Sequence, residues 1–168
     1  DGQLKAEGLT EPVTIRRDAY GYVRVEATSI PDAVFAQGFV HAQDRLWQME
    51  LNRRLGAGRL SELFGDLALP ADVFLRRLGL KRAAKTDLDA LEPQERQLLE
   101  AYAAGVNAGR RSLGWRLPLE FRLLGCRPDE WTIEDSLTWI QVMSMDLCAN
   151  WEQELLRGKI LAKLGPSG

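Results

Sequence analysis

Between Val13 and Ala27 apolar and polar side chains alternate: Val13, Ile15, Val23, Val25 and Ala27 are apolar, and Thr14, Arg16, Arg24 and Glu26 stand between them. A period of two predicts half-buried strands, here a β-hairpin over residues 12–27. Asp18-Ala19-Tyr20-Gly21 supplies the turn, because Asp accepts bonds from nearby backbone and glycine takes positive φ without steric cost. An isolated hairpin is marginal in water, so these strands are expected to extend a sheet supplied mostly by something else.

From Ser29 the period lengthens. Ser29-Ile30-Pro31-Asp32 reads as a helix start: a hydroxyl cap, proline in the first turn and a carboxylate near the positive dipole end. Phe35, Phe39, Ala42, Leu46 and Met49 then fall at three- and four-residue spacing, predicting one apolar face through to about Arg54, and Gly56-Ala57-Gly58 ends it. Short helices are expected over Arg59–Phe64, capped by Gly65, and over Asp72–Leu78. Pro93 opens another, with Leu98, Leu99, Tyr102, Ala103 and Val106 as its buried stripe and Gly114 beyond its end. After a loop containing Pro118, Gly125 and Pro128, Thr132-Ile133-Glu134-Asp135 caps a final helix expected to run from Ile133 to Leu164. That helix would be roughly 48 Å long, enough to cross a domain larger than this chain. The fold class is therefore α+β: one segment over residues 1–168, an N-terminal hairpin followed by helices over about 30–164.

Composition narrows the function. The chain has 168 residues, 22 Lys and Arg against 24 Asp and Glu, and 45% hydrophobic residues, so it can bury a core and lacks the one-sign excess of a nucleic-acid or anionic-membrane binder, and neither partner is expected. Cys126 and Cys148 are too few for a disulfide scaffold and too far apart for zinc spacing, and read as free thiols. No run of about 18 apolar residues is present for a membrane span. The start at Asp1, without Met, reads as a leader absent or removed, and Gly165-Pro166-Ser167-Gly168 reads as an exposed processing site or a simple boundary.

A self-contained catalytic set is hard to assemble. None of Ser29, Ser61, Ser112, Ser136, Ser144 and Ser167 lies in a G-x-S-x-G elbow, and His41 is the only histidine, in the middle of a predicted helix, where a hydrogen-bonded structural role is expected. The densest polar cluster, Gln43-Asp44-Arg45 with Gln48, Glu50, Asn52, Arg53 and Arg54, reads as a buried ion-pair network, a solvated face or a chemical site. Asp44 and Arg45 are the members placed beside Phe39, Leu46 and Trp47. On the last helix Met143, Met145 and Leu147, with Cys148, suit either a core or an adaptable apolar pocket wall. Asn150 and Glu154, four residues apart, can turn both oxygens toward a hard cation such as calcium, or stand idle on a surface; Glu152 points away from that line.

Several segments in order resemble the α subunit of the penicillin acylase family. They are Ile15-Arg16-Arg17-Asp18-Ala19-Tyr20-Gly21, Gly38-Phe39-Val40-His41-Ala42-Gln43-Asp44-Arg45-Leu46-Trp47-Gln48-Met49-Glu50, Gly58-Arg59-Leu60-Ser61-Glu62-Leu63-Phe64-Gly65, Ala101–Ala108, Pro118-Leu119-Glu120-Phe121 and Trp131-Thr132-Ile133-Glu134-Asp135. The resemblance implies an N-terminal-nucleophile hydrolase whose precursor cuts itself into a small α and a large β chain. By the resemblance, the nucleophile is a serine at the new N-terminus of β, its own α-amine is the base, and β also supplies the oxyanion hole. The α chain would add strands and helices to β's αββα fold and wall one side of the acyl pocket. Met143, Ser144, Met145 and Leu147 stand where the family's pocket helix carries Met-Ala-Asn-Arg-Phe, a pattern absent here. The resemblance also implies a structural calcium shared with β; counted back from Leu164-Gly165, its ligand falls at Asn150, where penicillin G-type members carry glutamate, with Glu154 as the alternative. Gly21-Tyr22-Val23-Arg24-Val25 departs from the Gly-Val-Pro-His-Ile of many relatives.

The expected function is thus the α subunit of a periplasmic or secreted amidase, catalytic only with its β chain. It would deacylate small amides such as penicillins or acyl-homoserine lactones through an acyl-ester. A non-catalytic helical binding or regulatory module is the alternative.

Overall fold

The structure, a computed structural model, describes residues 2–148 and 150–165. Strands β1 (Thr14–Arg17) and β2 (Val23–Glu26) pair antiparallel, with Ile15 opposite Val25 and Arg16 opposite Arg24. The turn forms as the sequence predicts: Asp18 Oδ1 accepts from the N–H groups of Tyr20 and Tyr22, each at 2.9 Å, and Gly21 takes φ 86°. Ile15 packs with Leu9 and Ala6 on a small cluster around Phe35, Phe39 and Ala108. The residues of both strands are exposed or half-buried, and these two strands are the whole sheet among the described residues.

Helix α1 (Ile30–Ala57) starts at Ser29, whose Oγ accepts from the Asp32 N–H, and ends at Gly58 in the left-handed region. Asp32 in turn accepts from the Thr10 N–H at 2.8 Å and from the Thr10 and Ser29 hydroxyls at 2.7 Å. Those bonds, the Thr10 hydroxyl foremost and then that of Ser29, hold its carboxyl below the usual range. One residue inside α1 leaves helical geometry, Arg45 at φ −136° and ψ 19°. Phe35, Phe39, Ala42, Leu46, Glu50 and Arg53 nevertheless stay on one buried stripe across it, at three- and four-residue spacing. There follow α2 (Ser61–Phe64), a 3-10 turn over Gly65–Ala68, α3 (Leu69–Leu78), α4 (Leu80–Ala90), α5 (Pro93–Leu113), α6 (Leu119–Leu123), α7 (Ile133–Leu147) and α8 (Trp151–Leu164).

The core lies where α1 crosses α5. Gly38 of α1 faces the Tyr102 carbonyl, and Gly105 and Gly109 of α5 face the carbonyls of Phe35 and Phe39, so the two backbones meet without side chains between them. Ala42, Leu46, Ala103 and Val106 fill the crossing, and Phe121 of α6 and Trp131 close it from outside. Trp131 is held by an amide exchange with Asn107, in which its N–H donates to Oδ1 and its carbonyl accepts from Nδ2, both at 2.8 Å.

Three expectations change. The final helix is two helices: Cys148 sits at φ −89° and ψ 55°, and α8 restarts from Asn150, whose carbonyl accepts from the Glu154 N–H at 3.1 Å. Asp146, Cys148 and Asn150 are weak helix formers, and Glu152 and Glu154 fit a first turn better than a helix middle. The stretch after Gly114 is not all loop, because α6 forms there, and α4 forms between the predicted elements. The buried ion-pair network exists, but Asp44 and Arg45 are exposed and lie outside it. Glu50 is its centre: it pairs with Arg53 and accepts from Arg54 Nε at 2.6 Å, and all three residues are almost fully buried. Arg54 also reaches Glu62 at 2.6 Å, and Arg53 lies 5.9 Å over the Trp131 ring. Asp44 instead takes a two-bond contact from Arg17 at 2.8 and 2.9 Å, tying the hairpin to α1.

Candidate functional site

The residues singled out for chemistry gather at the end of α7, the break after it and the start of α8. At about 100° per residue, Met143 and Leu147 share one stripe with Ile140, whereas Met145 lies on another side of the helix and is half-buried. Leu147 is 75% exposed and Met143 37%. The Ser144 hydroxyl donates back to the Ile140 carbonyl at 2.9 Å, which holds it against its own helix.

Beyond the break, an open groove of about 760 Å³ runs along α8, bordered by Cys148, Asn150, Trp151, Glu154 and Lys159. The structure therefore brings Asn150 and Glu154 to one surface. The Glu154 carboxylate already accepts from Arg157 at 2.7 Å, and no group of three or more His, Cys, Asp or Glu side chains able to hold a metal occurs among the described residues. Two oxygens are far fewer than the six to eight that calcium takes. Cys126 and Cys148 are both free thiols.

No described residue of α8 is buried, and Trp151, Leu155, Leu156, Ile160, Leu161 and Leu164 are all exposed. Its tie to the rest of the chain includes Trp151, whose ring centroid lies 5.8 Å from that of Phe74 in α3. Ile140 is a member of the α7 stripe that the sequence candidates omit, although Ile140, Met143 and Leu147 follow the three- and four-residue spacing that finds it.

The chain's own hydroxyls and imidazole are committed elsewhere. Ser29 bonds Asp32, Ser61 donates to Asp72 at 2.6 Å, Ser112 to the Gly109 carbonyl at 2.7 Å, and Ser136 accepts from Trp131 Nε1 at 2.9 Å. His41 Nδ1 lies 2.8 Å from the Tyr102 hydroxyl, across the α1–α5 crossing. Burial pushes the His41 pKa down against the opposing pull of Asp44, and burial pushes that of Tyr102 up. This is the hydrogen-bonded structural histidine the sequence predicts. Ser167, with Pro166 and Gly168 of the expected processing site, lies outside the described residues. The site is thus an apolar wall with two oxygen donors and the free Cys148 thiol at its edge.

No helix of the described residues is long and apolar enough to cross a membrane. Comparison with known proteins gives the arrangement a context. Penicillin acylase 2 proenzyme of Pseudomonas sp. (strain SE83) is 41% identical over 150 residues, covering 89% of this chain and 19% of that protein. Acyl-homoserine lactone acylase QuiP of Pseudomonas aeruginosa is 37% identical over 164 residues, covering 98% of this chain and 19% of that protein. The chain spans about a fifth of the length of the curated relatives it matches. Among solved structures, a thermostable penicillin G acylase from Alcaligenes faecalis superimposes with a TM-score of 0.76 at 26% identity, covering 95% of this chain and 87% of that one. The family profile described as penicillin amidase matches residues 12–168, and the chain belongs to that family.

Proposed function

We propose that this chain is the α subunit of a two-chain amide hydrolase that deacylates small amides such as penicillins or acyl-homoserine lactones. One observation carries the reading. The chain covers only 19% of a curated proenzyme but 87% of a chain in a solved penicillin G acylase, so the relative's structure contains a separate chain of nearly this size. The exposed apolar face of α8 and the two-strand sheet support the same reading, since both present surfaces that a larger partner would cover.

The second chain would supply an N-terminal serine, which attacks the amide carbonyl while its α-amine takes the proton. An α-amine titrates near 7.7–8.0, close enough to neutrality to replace the imidazole this chain has committed to Tyr102. The amine leaves first with a proton, an acyl-ester remains on the serine, and water releases the acid. Met143 and Leu147, with Ser144 beside them and Met145 behind, would wall the acyl group and recognise it by buried apolar area, at about 25 cal/mol per Å². Asn150 and Glu154 fit a calcium site only as a minority of its ligands, with Glu154 released from Arg157; there they would brace the interface between the chains. Export to the periplasm or the exterior belongs to the same proposal.

The test is steady-state kinetics of the processed enzyme on a series of acyl chains. Met143→Ala is expected to shift acyl-length preference while leaving preference for the amine side unchanged. An unmoved acyl preference, or a change confined to the amine side, would contradict the pocket assignment.

A further inference from the structure

The turn from α5 into α6 carries an unusual combination. Trp115 is 85% exposed, and Leu119 and Leu123, one turn apart on the same face of α6, are 61% and 74% exposed. Around them Arg111, Arg116, Arg122 and Arg127 are exposed, and none of the four makes an ion pair or a side-chain hydrogen bond with a described residue. The corner is held by backbone bonds: Arg116 N–H to the Leu113 carbonyl at 2.8 Å, Phe121 N–H to Pro118 at 3.2 Å and Cys126 N–H to Phe121 at 3.0 Å. Phe121 anchors it, buried and edge-on to Trp47 at 5.2 Å. The acidic groups nearby are Glu120, Asp129 and Glu130, and Glu130 is engaged by Arg110 while Asp129 lies 3.7 Å from Arg53.

We propose that this corner is a docking surface for an anionic phospholipid membrane. Charge complementarity selects the occupant: the chain as a whole carries a formal charge of −2, yet this corner carries four exposed arginines without an ion pair to a described residue. A protein partner would have to place a carboxylate at each one, whereas a sheet of phosphates meets all of them together. An exposed tryptophan between leucines and arginines suits the boundary between headgroups and acyl chains, where the ring and leucines enter the apolar layer and the arginines reach back to phosphate. The exposed face of α8 differs, because Glu152, Glu154, Arg157, Lys159 and Lys163 bring both signs to it, as suits a protein surface. This inference rests on the proposed second chain leaving this corner open, and does not depend on which amide that assembly cleaves.

The test is co-sedimentation of the full-length protein with vesicles of phosphatidylcholine containing 30% phosphatidylglycerol, beside vesicles of phosphatidylcholine alone. Binding is expected to the anionic vesicles only and to be lost in high salt, where charge is screened. Replacing both Arg116 and Arg122 with Gln should weaken it about 25-fold, from roughly fivefold per basic residue near an anionic surface. Trp115→Ser and Leu123→Ser should each weaken it as well, with circular dichroism unchanged because both side chains are exposed. Equal binding to neutral vesicles, no binding to anionic ones, or binding indifferent to these substitutions would overturn the proposal. So would release of another polypeptide, or dissociation of an oligomer, by the same variants, since the corner would then be a protein interface.

Discussion

Adding one methyl group at Gly109 tests the α1–α5 crossing on which the fold rests. A Cβ there would lie 2.5 Å from the Phe39 carbonyl oxygen and 2.8 Å from the Ala42 Cβ, both on α1. An unbonded carbon sits about 3.3 Å from a carbonyl oxygen, so the helices would have to part by roughly 0.8 Å. Parting them loosens Phe35, Phe39, Ala42 and Val106, which are buried at this crossing. Overpacking of this kind costs about 1–3 kcal/mol, and the better helix propensity of alanine returns about 1 kcal/mol. A clash against a helix backbone carbonyl belongs in the upper half of that range, about 2–3 kcal/mol, so Gly109→Ala is expected to destabilise by about 1–2 kcal/mol net. Gly105→Ala should cost more, because its Cβ would meet the Phe35 carbonyl oxygen more closely still. Urea denaturation of the purified protein, followed by tryptophan fluorescence, reads both. If Gly109→Ala were as stable as the parent, or if Gly105→Ala were the milder of the two, the close crossing would be refuted.

Three further outcomes follow from the side chains. Glu50→Gln leaves the buried Arg53 and Arg54 without their shared anion, and denaturation should show a loss of about 3–5 kcal/mol; a loss below 1 kcal/mol would mean the cluster is not buried as described. Burial opposes ionisation of Asp72, but the Ser61 hydroxyl, the N–H groups of Ser61 and Leu60 and the charge of Arg76 outweigh it and lower its pKa. Its contribution is therefore present above the unfolded value near 3.9 and lost as pH falls through the lower folded value, so Asp72→Asn should be the less stable protein at neutral pH, with the gap closing below about pH 4. A gap independent of pH would assign the effect to packing instead. For the proposed calcium site, the melting temperature of the proposed two-chain enzyme should fall on chelation and recover with added calcium, and Glu154→Gln should blunt that response. An identical response in Glu154→Gln would remove Glu154 from the site and leave Asn150 as this chain's one candidate ligand.

Local physics was legible wherever a single residue fixes a single contact. Ser29 and Thr132 cap α1 and α7, Gly21 turns the hairpin, Gly58 ends α1, and Pro93 opens α5 as their types predict. What the sequence hid depends on more than one element. Arg54 and Arg53 find Glu62 and the Glu130 carbonyl on other segments, and Asp44 finds Arg17 of β1, pairings that the pattern within α1 does not specify. Asp44 and Glu50 are both acids amid apolar residues, and helical phase distinguishes them: at about 100° per residue Asp44 falls opposite Phe35 and Arg53, and Glu50 on their side. Likewise Met143 through Leu147 read as one apolar stretch, and the helical turn divides it between an exposed stripe and a half-buried side. The wall, the oxygen donors and the unpartnered α8 face became a single candidate site only once the break after Leu147 was placed.

The central claim is that the chemistry of this protein arrives on a second chain cut from the same precursor. It is tested most directly by intact-mass and N-terminal sequencing of the enzyme purified as an amide-hydrolysing activity from its native host. The account predicts this chain together with a much larger polypeptide that begins with serine. Amide hydrolysis by this chain alone, or a partner whose first residue has no side-chain nucleophile, would contradict it.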